Sequence, residues 1–291
     1  MLSYEKICLG LRCNNLCVDC ELPGDETRRS LNELVADLDA LPNKENLELW
    51  GGEPTLHDDL VSLVSYACRR GAKRIKLRTN GRLLADGEML DALVREGCRI
   101  FEVSLFGSNP DTHEAVTRTR GSFNETMAGF ENLHAYSLEE GCEKAIYLTV
   151  RIGVTDENVD DLLATVSLLM SFGVDVVRFV RMGSRLNIIR GAQMVATAMK
   201  VASLNRIWSV CEGFPPCTMT GSETHLMEFI QPVRFTGDKP KSCSKCVFAG
   251  ICTGPPEDYL GKHGPREFRA VATFPYLQGL EYLMELTPRA Y

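Results

Sequence analysis

The sequence lacks the features of a membrane-spanning, secreted or nucleic-acid-binding protein. No apolar run approaches the roughly 20 residues that a membrane-spanning helix needs. The N-terminus, Met1 to Glu5, leads directly into a predicted strand, without the charged and apolar regions of a signal peptide. Basic residues number 32 and acidic residues 39, and the net charge of −7 argues against a nucleic-acid-binding surface. These absences predict a cytoplasmic protein that binds neither membrane nor nucleic acid.

Cysteine, by contrast, is abundant, with 12 in 291 residues. In a chain without an export signal, so many cysteines indicate metal or redox chemistry rather than disulfides. The other proportions, 44% apolar and 24% charged, are those of an ordinary globular protein. The length suits one barrel-sized domain and an extension.

Hydrophobic periodicity and punctuating glycines predict alternating strands and helices up to about residue 180. Six such units with short turns imply parallel strands with right-handed crossovers, that is, an α/β fold of the partial (β/α)6 TIM-barrel type. Its ligands should bind at the C-terminal ends of the strands. The first helix is predicted to start with a capping box of Ser30 and Glu33, and one helix is predicted at about 124–140. A last helix is predicted at about 192–210, and a cysteine-rich segment follows. We therefore expect a barrel over residues 1–208 and a C-terminal extension over 209–291.

The leading motif is the C-x3-C-x2-C spacing of Cys13, Cys17 and Cys20, directly after the first predicted strand. Three thiolates on one loop can hold three irons of a [4Fe–4S] cluster and leave the fourth iron open for chemistry. The alternatives are a zinc knuckle or reduced surface thiols. Zinc usually takes a fourth protein ligand, and no His or Cys lies near enough in sequence to supply it.

A second motif, Gly51-Gly52-Glu53-Pro54, follows the second predicted strand. Together the two motifs resemble the radical S-adenosylmethionine (SAM) superfamily over roughly residues 4–180. The resemblance implies a [4Fe–4S] cluster whose open iron binds SAM. It also implies reductive cleavage of SAM to methionine and a 5′-deoxyadenosyl radical, with a flavodoxin- or ferredoxin-type electron donor.

The second motif has features that suit SAM binding. Gly51 and Gly52 lack a Cβ, so backbone can approach the ligand closely. Glu53, or the carbonyl groups beside it, can accept hydrogen bonds from the SAM ammonium group. Pro54 fixes the turn.

Three further residues are candidate SAM contacts by the same resemblance. Ser104 matches a serine at the end of strand four that commonly contacts SAM, although it could instead cap its own backbone. Arg151 could pair with the SAM carboxylate or form a surface salt bridge. Asn80 corresponds to the polar end of strand three, which lines the cavity in the family.

The C-terminal segment contains a second cysteine group. Cys243, Cys246 and Cys252 have the spacing C-x2-C-x5-C, and Cys217 stands upstream after two prolines that stiffen the chain. Four thiolates can enclose one auxiliary [4Fe–4S] cluster. The pattern resembles the short auxiliary-cluster, or twitch, extension of several radical SAM enzymes. The longer two-cluster (SPASM) pattern would have a further cysteine where Pro256 stands, and a four-cysteine zinc ribbon is the alternative.

Five cysteines of the segment compete for four ligand positions, so either Cys211 or Cys217 is free, and we expect the free one to be Cys211. As a free thiol near the cavity it could return a hydrogen atom to a substrate radical, which makes it a catalytic candidate; the alternative is an inert cysteine. Cys8, Cys68, Cys98 and Cys142 fall in barrel elements and are predicted to be small buried hydrophobic residues.

The barrel and the two cysteine groups together predict a radical SAM oxidoreductase or epimerase. The favoured reaction is dehydrogenation or epimerisation of a small polar, carbohydrate- or aminocyclitol-like substrate. The alternative is a ribosomal-peptide maturase. Only twelve residues precede Cys13, so we expect no N-terminal leader-binding domain, which tilts the prediction towards the small substrate. A non-catalytic iron–sulfur electron carrier would not need the Gly-Gly-Glu-Pro turn.

Overall fold

The computed structural model describes residues 3–20, 22, 25–138, 146–183, 185–230 and 239–274. Its central feature is one sheet of seven parallel strands that lie in chain order. The strands are β1 (Glu5–Cys8), β2 (Asn46–Trp50), β3 (Arg74–Thr79), β4 (Cys98–Ser104), β5 (Tyr147–Val154), β6 (Val176–Arg181) and β7 (Trp208–Glu212). No pairing joins β7 to β1 among the described residues, so the sheet is an open, partial barrel and the predicted fold class is confirmed.

Seven helices lie between the strands in the chain, and two more follow β7 in the described residues. They are α1 (Leu31–Ala40), α2 (Leu60–Arg69), α3 (Gly87–Arg95), α4 (Pro110–Thr117), α5 (Ser122–Ser137), α6 (Leu162–Leu169), α7 (Ile188–Leu204), α8 (Met227–Ile230) and α9 (Glu257–His263). The first begins as its sequence predicts, because the Ser30 hydroxyl accepts the Glu33 N–H and the Glu33 carboxylate accepts the Ser30 N–H. None of the described helices is long and apolar enough to cross a membrane.

The seventh strand was not predicted. The last barrel helix ends at Leu204, not near residue 210, because Arg206 takes a left-handed conformation (φ 61°) and the Ile207 N–H returns to the Ala202 carbonyl. The chain then pairs with β6 in register. The sheet therefore continues four residues, 209–212, into the predicted extension, and the domain division itself stays a prediction.

Helix α4 was also missed. The sequence predicted one helix, from about residue 124, between β4 and β5. The structure has two, and the first starts where the Asn109 side chain accepts the Thr112 N–H and Pro110 occupies the first turn. This helix matters because the cysteine loop rests on its C-terminal end.

The two faces of the sheet differ in chemistry. The outer face packs apolar side chains such as Leu77, Phe101 and Phe179 against the helices. The same core continues into the C-terminal segment, where Phe248 and Tyr259 are fully buried. Of the barrel cysteines predicted to be buried, Cys98 is buried and Cys8 and Cys68 are half-buried; Cys142 lies outside the described residues. The inner face instead presents charged and polar side chains to the barrel interior, which is where a site can form.

Candidate functional site

The cysteine loop is attached to α4 by backbone hydrogen bonds. The Leu16 N–H donates to the Thr117 carbonyl at 2.9 Å, and the Val18 N–H donates to the Val116 carbonyl at 2.8 Å. These bonds hold the loop at the C-terminal ends of the strands, where ligands of parallel barrels bind.

Side chains after β3 hold the same loop from the other side. Asn80 Nδ2 donates to Asn14 Oδ1 at 2.6 Å, and Arg82 Nη1 donates to Asn15 Oδ1 at 2.9 Å. Arg82 also donates to the Asn14 carbonyl. Asn80 was predicted as a SAM contact; its amide nitrogen here positions the cysteine loop.

A cleft of about 820 Å³ opens beside this loop. It brings together most of the predicted SAM-site residues, namely Cys13, Cys17, Cys20, Gly51, Gly52, Asn80, Ser104 and Arg151. It also exposes lining residues that sequence analysis did not select, among them Trp50, Arg78, Phe106 and Met182. Trp50 and Arg78 could have been selected from the sequence. Every second side chain along a strand faces the same side of the sheet, and these two lie near strand ends on the inner face.

The three thiols of the loop converge on the cleft. Cys13 and Cys17 are half-buried and Cys20 is exposed. Burial first, and then the neighbouring Cys13 and Cys20, raise the pKa of Cys17 to about 12, so the thiols are close enough to interact. The described residues contain no group of three His, Cys, Asp or Glu side chains that could hold a single metal ion. Three soft sulfur donors without a fourth partner fit a cluster better than they fit structural zinc.

The two glycines are required for a reason that the sequence did not reveal. A Cβ on Gly51 would lie 2.3 Å from the Gly10 carbonyl oxygen, and Gly51 also has a φ of 147°. A Cβ on Gly52 would lie 2.3 Å from the carbonyl oxygens of Leu11 and Arg12. The close approach is therefore to the backbone that leads into the cysteine loop, and it places the two motifs side by side.

Glu53 is buried, with 4% of its surface exposed, and does not line the cleft. Its Oε1 accepts from the Thr55 N–H (3.0 Å), the Thr55 hydroxyl (2.6 Å) and the Thr79 hydroxyl (2.6 Å). Its Oε2 accepts from the Asn80 N–H at 2.6 Å. Burial raises the pKa of the carboxyl group, although these hydrogen bonds oppose the rise. The side chain thus joins the ends of β2 and β3. Pro54, the next residue, begins a short 3₁₀ helix, Pro54–Leu56, and is also absent from the cleft lining.

The C-terminal segment forms a second cavity, of about 350 Å³, that Cys217, Cys243, Cys246 and Cys252 line together. The Val271 N–H donates to Cys246 Sγ at 3.4 Å, and the Gly254 N–H donates to Cys252 Sγ at 3.2 Å. Sulfur atoms that accept backbone N–H groups suit thiolates bound to iron, because such bonds stabilise the negative charge.

Cys211 lies in neither cavity. It is fully buried in β7, pairs in register with Phe179, and belongs to the core beneath the helices. Because side chains alternate along a strand, its neighbours Val210 and Glu212 face the interior while Cys211 faces outward. Cys211 therefore lies in a strand, on the opposite face of the sheet from the cleft lining, and its catalytic role stays a prediction.

The fold and site define a parallel partial barrel whose cleft, at the carboxyl ends of the strands, is lined by three cysteines. The sequence profile of the Radical SAM superfamily matches residues 7–168, more than half of the chain, and the chain therefore belongs to this superfamily. Membership implies a SAM-binding [4Fe–4S] cluster and SAM.

Similar proteins include the AdoMet-dependent heme synthase of Methanosarcina barkeri, 29% identical over 172 residues, which are 55% of this chain and 45% of that protein. The mycofactocin maturase MftC of Mycobacterium ulcerans is 27% identical over 162 residues, with coverages of 54% and 42%. Streptococcus suis SuiB bound to S-adenosylmethionine has a similar fold, with a TM-score of 0.61, 13% identity, and coverage of 92% of this chain and 76% of that one. The chain spans about half the length of the curated relatives it matches.

Proposed function

We propose that this radical SAM enzyme dehydrogenates a carbon centre of a small polar substrate. The main support is the C-terminal cavity, which four cysteines line. In addition, the described lining of the main cleft contains no thiol beyond the three of the cysteine loop. A dehydrogenation needs an electron acceptor, whereas a radical epimerisation needs a hydrogen-atom donor beside the substrate.

In the main cleft, Cys13, Cys17 and Cys20 would hold the [4Fe–4S] cluster, and Ser104 and Arg151 would bind polar groups of SAM. When bound there, the cluster and SAM would supply the chemistry for removing a hydrogen atom from the substrate. Trp50, Phe106 and Met182 line the cleft with apolar surface, which would help to exclude water from that chemistry.

In the C-terminal cavity, Cys217, Cys243, Cys246 and Cys252 would hold one auxiliary [4Fe–4S] cluster, as in a twitch extension. Dehydrogenation removes a hydrogen atom, then a proton and an electron, from the substrate. The four cysteines would position the acceptor of that electron. The backbone N–H groups that already point at two of the sulfur atoms support a thiolate-rich iron site over unused thiols.

Epimerisation receives less support, because Cys211 faces the core and the described cleft lining offers no thiol beyond the three of the loop. We also propose a cytoplasmic location and a flavodoxin- or ferredoxin-type donor. Both follow from the need to reduce an oxygen-sensitive cluster.

Peptide maturation is the second candidate. It is favoured by the similarity to the maturase MftC and by the fold shared with SuiB, one structure of which is bound to its precursor peptide SuiA.

The deciding experiment is anaerobic incubation of the reconstituted protein with SAM and dithionite, followed by quantification of 5′-deoxyadenosine. We expect 5′-deoxyadenosine and about eight irons per chain. Small-molecule extracts and candidate precursor peptides are then added in D2O, and we compare how much each one increases the formation of 5′-deoxyadenosine. A product that lacks two hydrogens supports dehydrogenation. A product of unchanged mass except for one deuterium indicates epimerisation, and a modified peptide indicates the second candidate. No 5′-deoxyadenosine under any condition would contradict the enzymatic function.

A further inference from the structure

The main cleft has an unusual charge. Its described lining contains two guanidinium groups, those of Arg78 and Arg151, and no carboxylate. Guanidinium groups that face a partly buried cleft without a hydrogen-bonded carboxylate favour the binding of an anion there. The cleft therefore has the electrostatics of an anion site.

The carboxylate nearest to Arg78 is already shared. Glu102 Oε1 lies 3.7 Å from Arg78 Nε, too far for a hydrogen bond, and this oxygen has no hydrogen-bond partner among the described atoms. Glu102 also faces Arg178 at 3.4 Å and Lys76 at 3.8 Å. Burial opposes its ionisation, yet these cations lower the pKa of Glu102 to about 2. Lys76 and Arg178 also pair with carboxylates of their own, Glu48 and Glu212, at shorter distances. Among the described residues, Glu102 is the carboxylate within 4 Å of Arg78, and it forms no hydrogen bond with Arg78.

Arg151 has no carboxylate within 4 Å among the described residues. Burial lowers the pKa of Arg151 to about 10, and the positive charge of Arg78 acts in the same direction. The two guanidinium groups therefore lie close enough to repel each other.

The two arginines stand at different depths. Arg151 pairs in register with Ser104, and Arg78 pairs with Glu102, two residues earlier on β4. Two residues along a strand correspond to about 6–7 Å, so Arg78 lies deeper beneath the rim. Arg151 and Ser104 are the pair assigned to SAM.

SAM supplies one carboxylate for two guanidinium groups, and the negative charge of an iron–sulfur cluster with its three thiolates would lie at the cysteine loop. The SAM carboxylate is accompanied by an ammonium and a sulfonium group, so bound SAM adds a net positive charge. The second guanidinium, that of Arg78, has no hydrogen-bonded carboxylate among the described residues, and its planar donors suit the two oxygens of a carboxylate or phosphate.

We propose that Arg78 binds an oxyanion of the substrate, a carboxylate or a phosphate, at the floor of the cleft. This inference rests on the proposed function, in that the upper part of the cleft is assigned to SAM. It narrows the substrate to an acid or a phosphate ester, which argues against a purely cationic aminocyclitol. Arg78 would orient the substrate carbon towards SAM.

The test measures binding without turnover. Reconstituted protein saturated with SAM is titrated anaerobically with sodium phosphate and, separately, with sodium acetate, by calorimetry at constant ionic strength. We expect at least one anion to bind, and Arg78→Gln to weaken it about tenfold or more, because a charge-assisted contact is lost. The anion that binds more tightly identifies the substrate group.

Two variants make the result specific. Arg69→Gln, at the exposed end of α2, changes the net charge equally and should bind like the wild type. Arg78→Lys keeps the charge beside Glu102 but removes the planar donor pair, and should give intermediate affinity. It serves as the main variant if Arg78→Gln does not fold.

Three results would overturn the inference. The first is that the SAM-saturated wild type binds no anion. The second is that both Arg78 variants bind the anion as tightly as the wild type does. The third is that adding SAM abolishes anion binding, which would place Arg78 in the SAM site. A protein that forms 5′-deoxyadenosine but binds neither anion refutes this inference alone. A protein that binds an anion but never cleaves SAM refutes only the proposed function.

Discussion

Replacing Glu53 by glutamine tests whether this carboxylate joins the strand ends or contacts SAM. The carboxylate accepts from two backbone N–H groups, those of Thr55 and Asn80, one on each oxygen. A glutamine has only one acceptor oxygen, so in either orientation its NH2 group faces one of these donors. A buried donor left unpaired costs about 1–3 kcal/mol, and we expect Glu53→Gln to lower the free energy of unfolding by that amount.

The measurement is urea unfolding of the cluster-loaded protein without SAM, beside Glu131→Gln, an exposed carboxylate on α5 that serves as the control. Because burial raises the pKa of Glu53 above its ordinary value of 4.5, ionisation of this group costs stability as the pH rises through the window above 4.5. The difference between Glu53→Gln and the wild type should therefore be smaller at pH 8 than at pH 5.

One result would refute this reasoning. If Glu53→Gln unfolds like the wild type without SAM, yet binds SAM more weakly, the carboxylate contacts SAM. The buried hydrogen bonds would then contribute little to stability.

Three further predictions concern the thiols and a buried histidine. Cys13→Ala should abolish 5′-deoxyadenosine formation but keep about four irons per chain, and continued SAM cleavage would disprove the cluster assignment. Cys217→Ala should lose the auxiliary cluster's absorption, whereas Cys211→Ala should keep about eight irons; the reverse would show that Cys211 is the ligand. Burial lowers the pKa of His113 to about 4, so stability should fall by up to roughly 3 kcal/mol from pH 6.5 towards pH 4. Urea unfolding of His113→Gln should lack that loss, and an equal loss in both proteins would point to other groups.

Features that depend on local spacing could be predicted from the sequence. The intervals between Cys13, Cys17 and Cys20 are set by the covalent chain, and they need only a loop to bring three thiols together. The local hydrophobic pattern likewise indicates which residues are buried and so predicts the alternating strands and helices. That alternation was enough to predict the parallel partial barrel. Ser30 and Glu33 form the predicted capping box because both partners lie within one turn.

Features that depend on pairing between distant segments were missed or misplaced. The strand at 208–212 follows a helix whose end is set by the left-handed turn at Arg206, and its short apolar run did not distinguish strand from helix. Cys211 faces the core because register with β6 decides which side of the sheet it occupies. Spacing alone could not make that choice.

The sequence by itself determined the superfamily, the sheet order up to β6 and the two groups of cysteines, since all of these follow from patterns within a few neighbouring residues. Only the tertiary structure decided that Gly51 and Gly52 make room for the backbone ahead of the cysteine loop, and that Glu53 joins β2 to β3. It alone placed Arg78 and Arg151 in one cleft whose described lining contains no carboxylate. These relations arise from strand register and sheet curvature, which bring together side chains that are tens of residues apart and carry no mutual signal in the sequence.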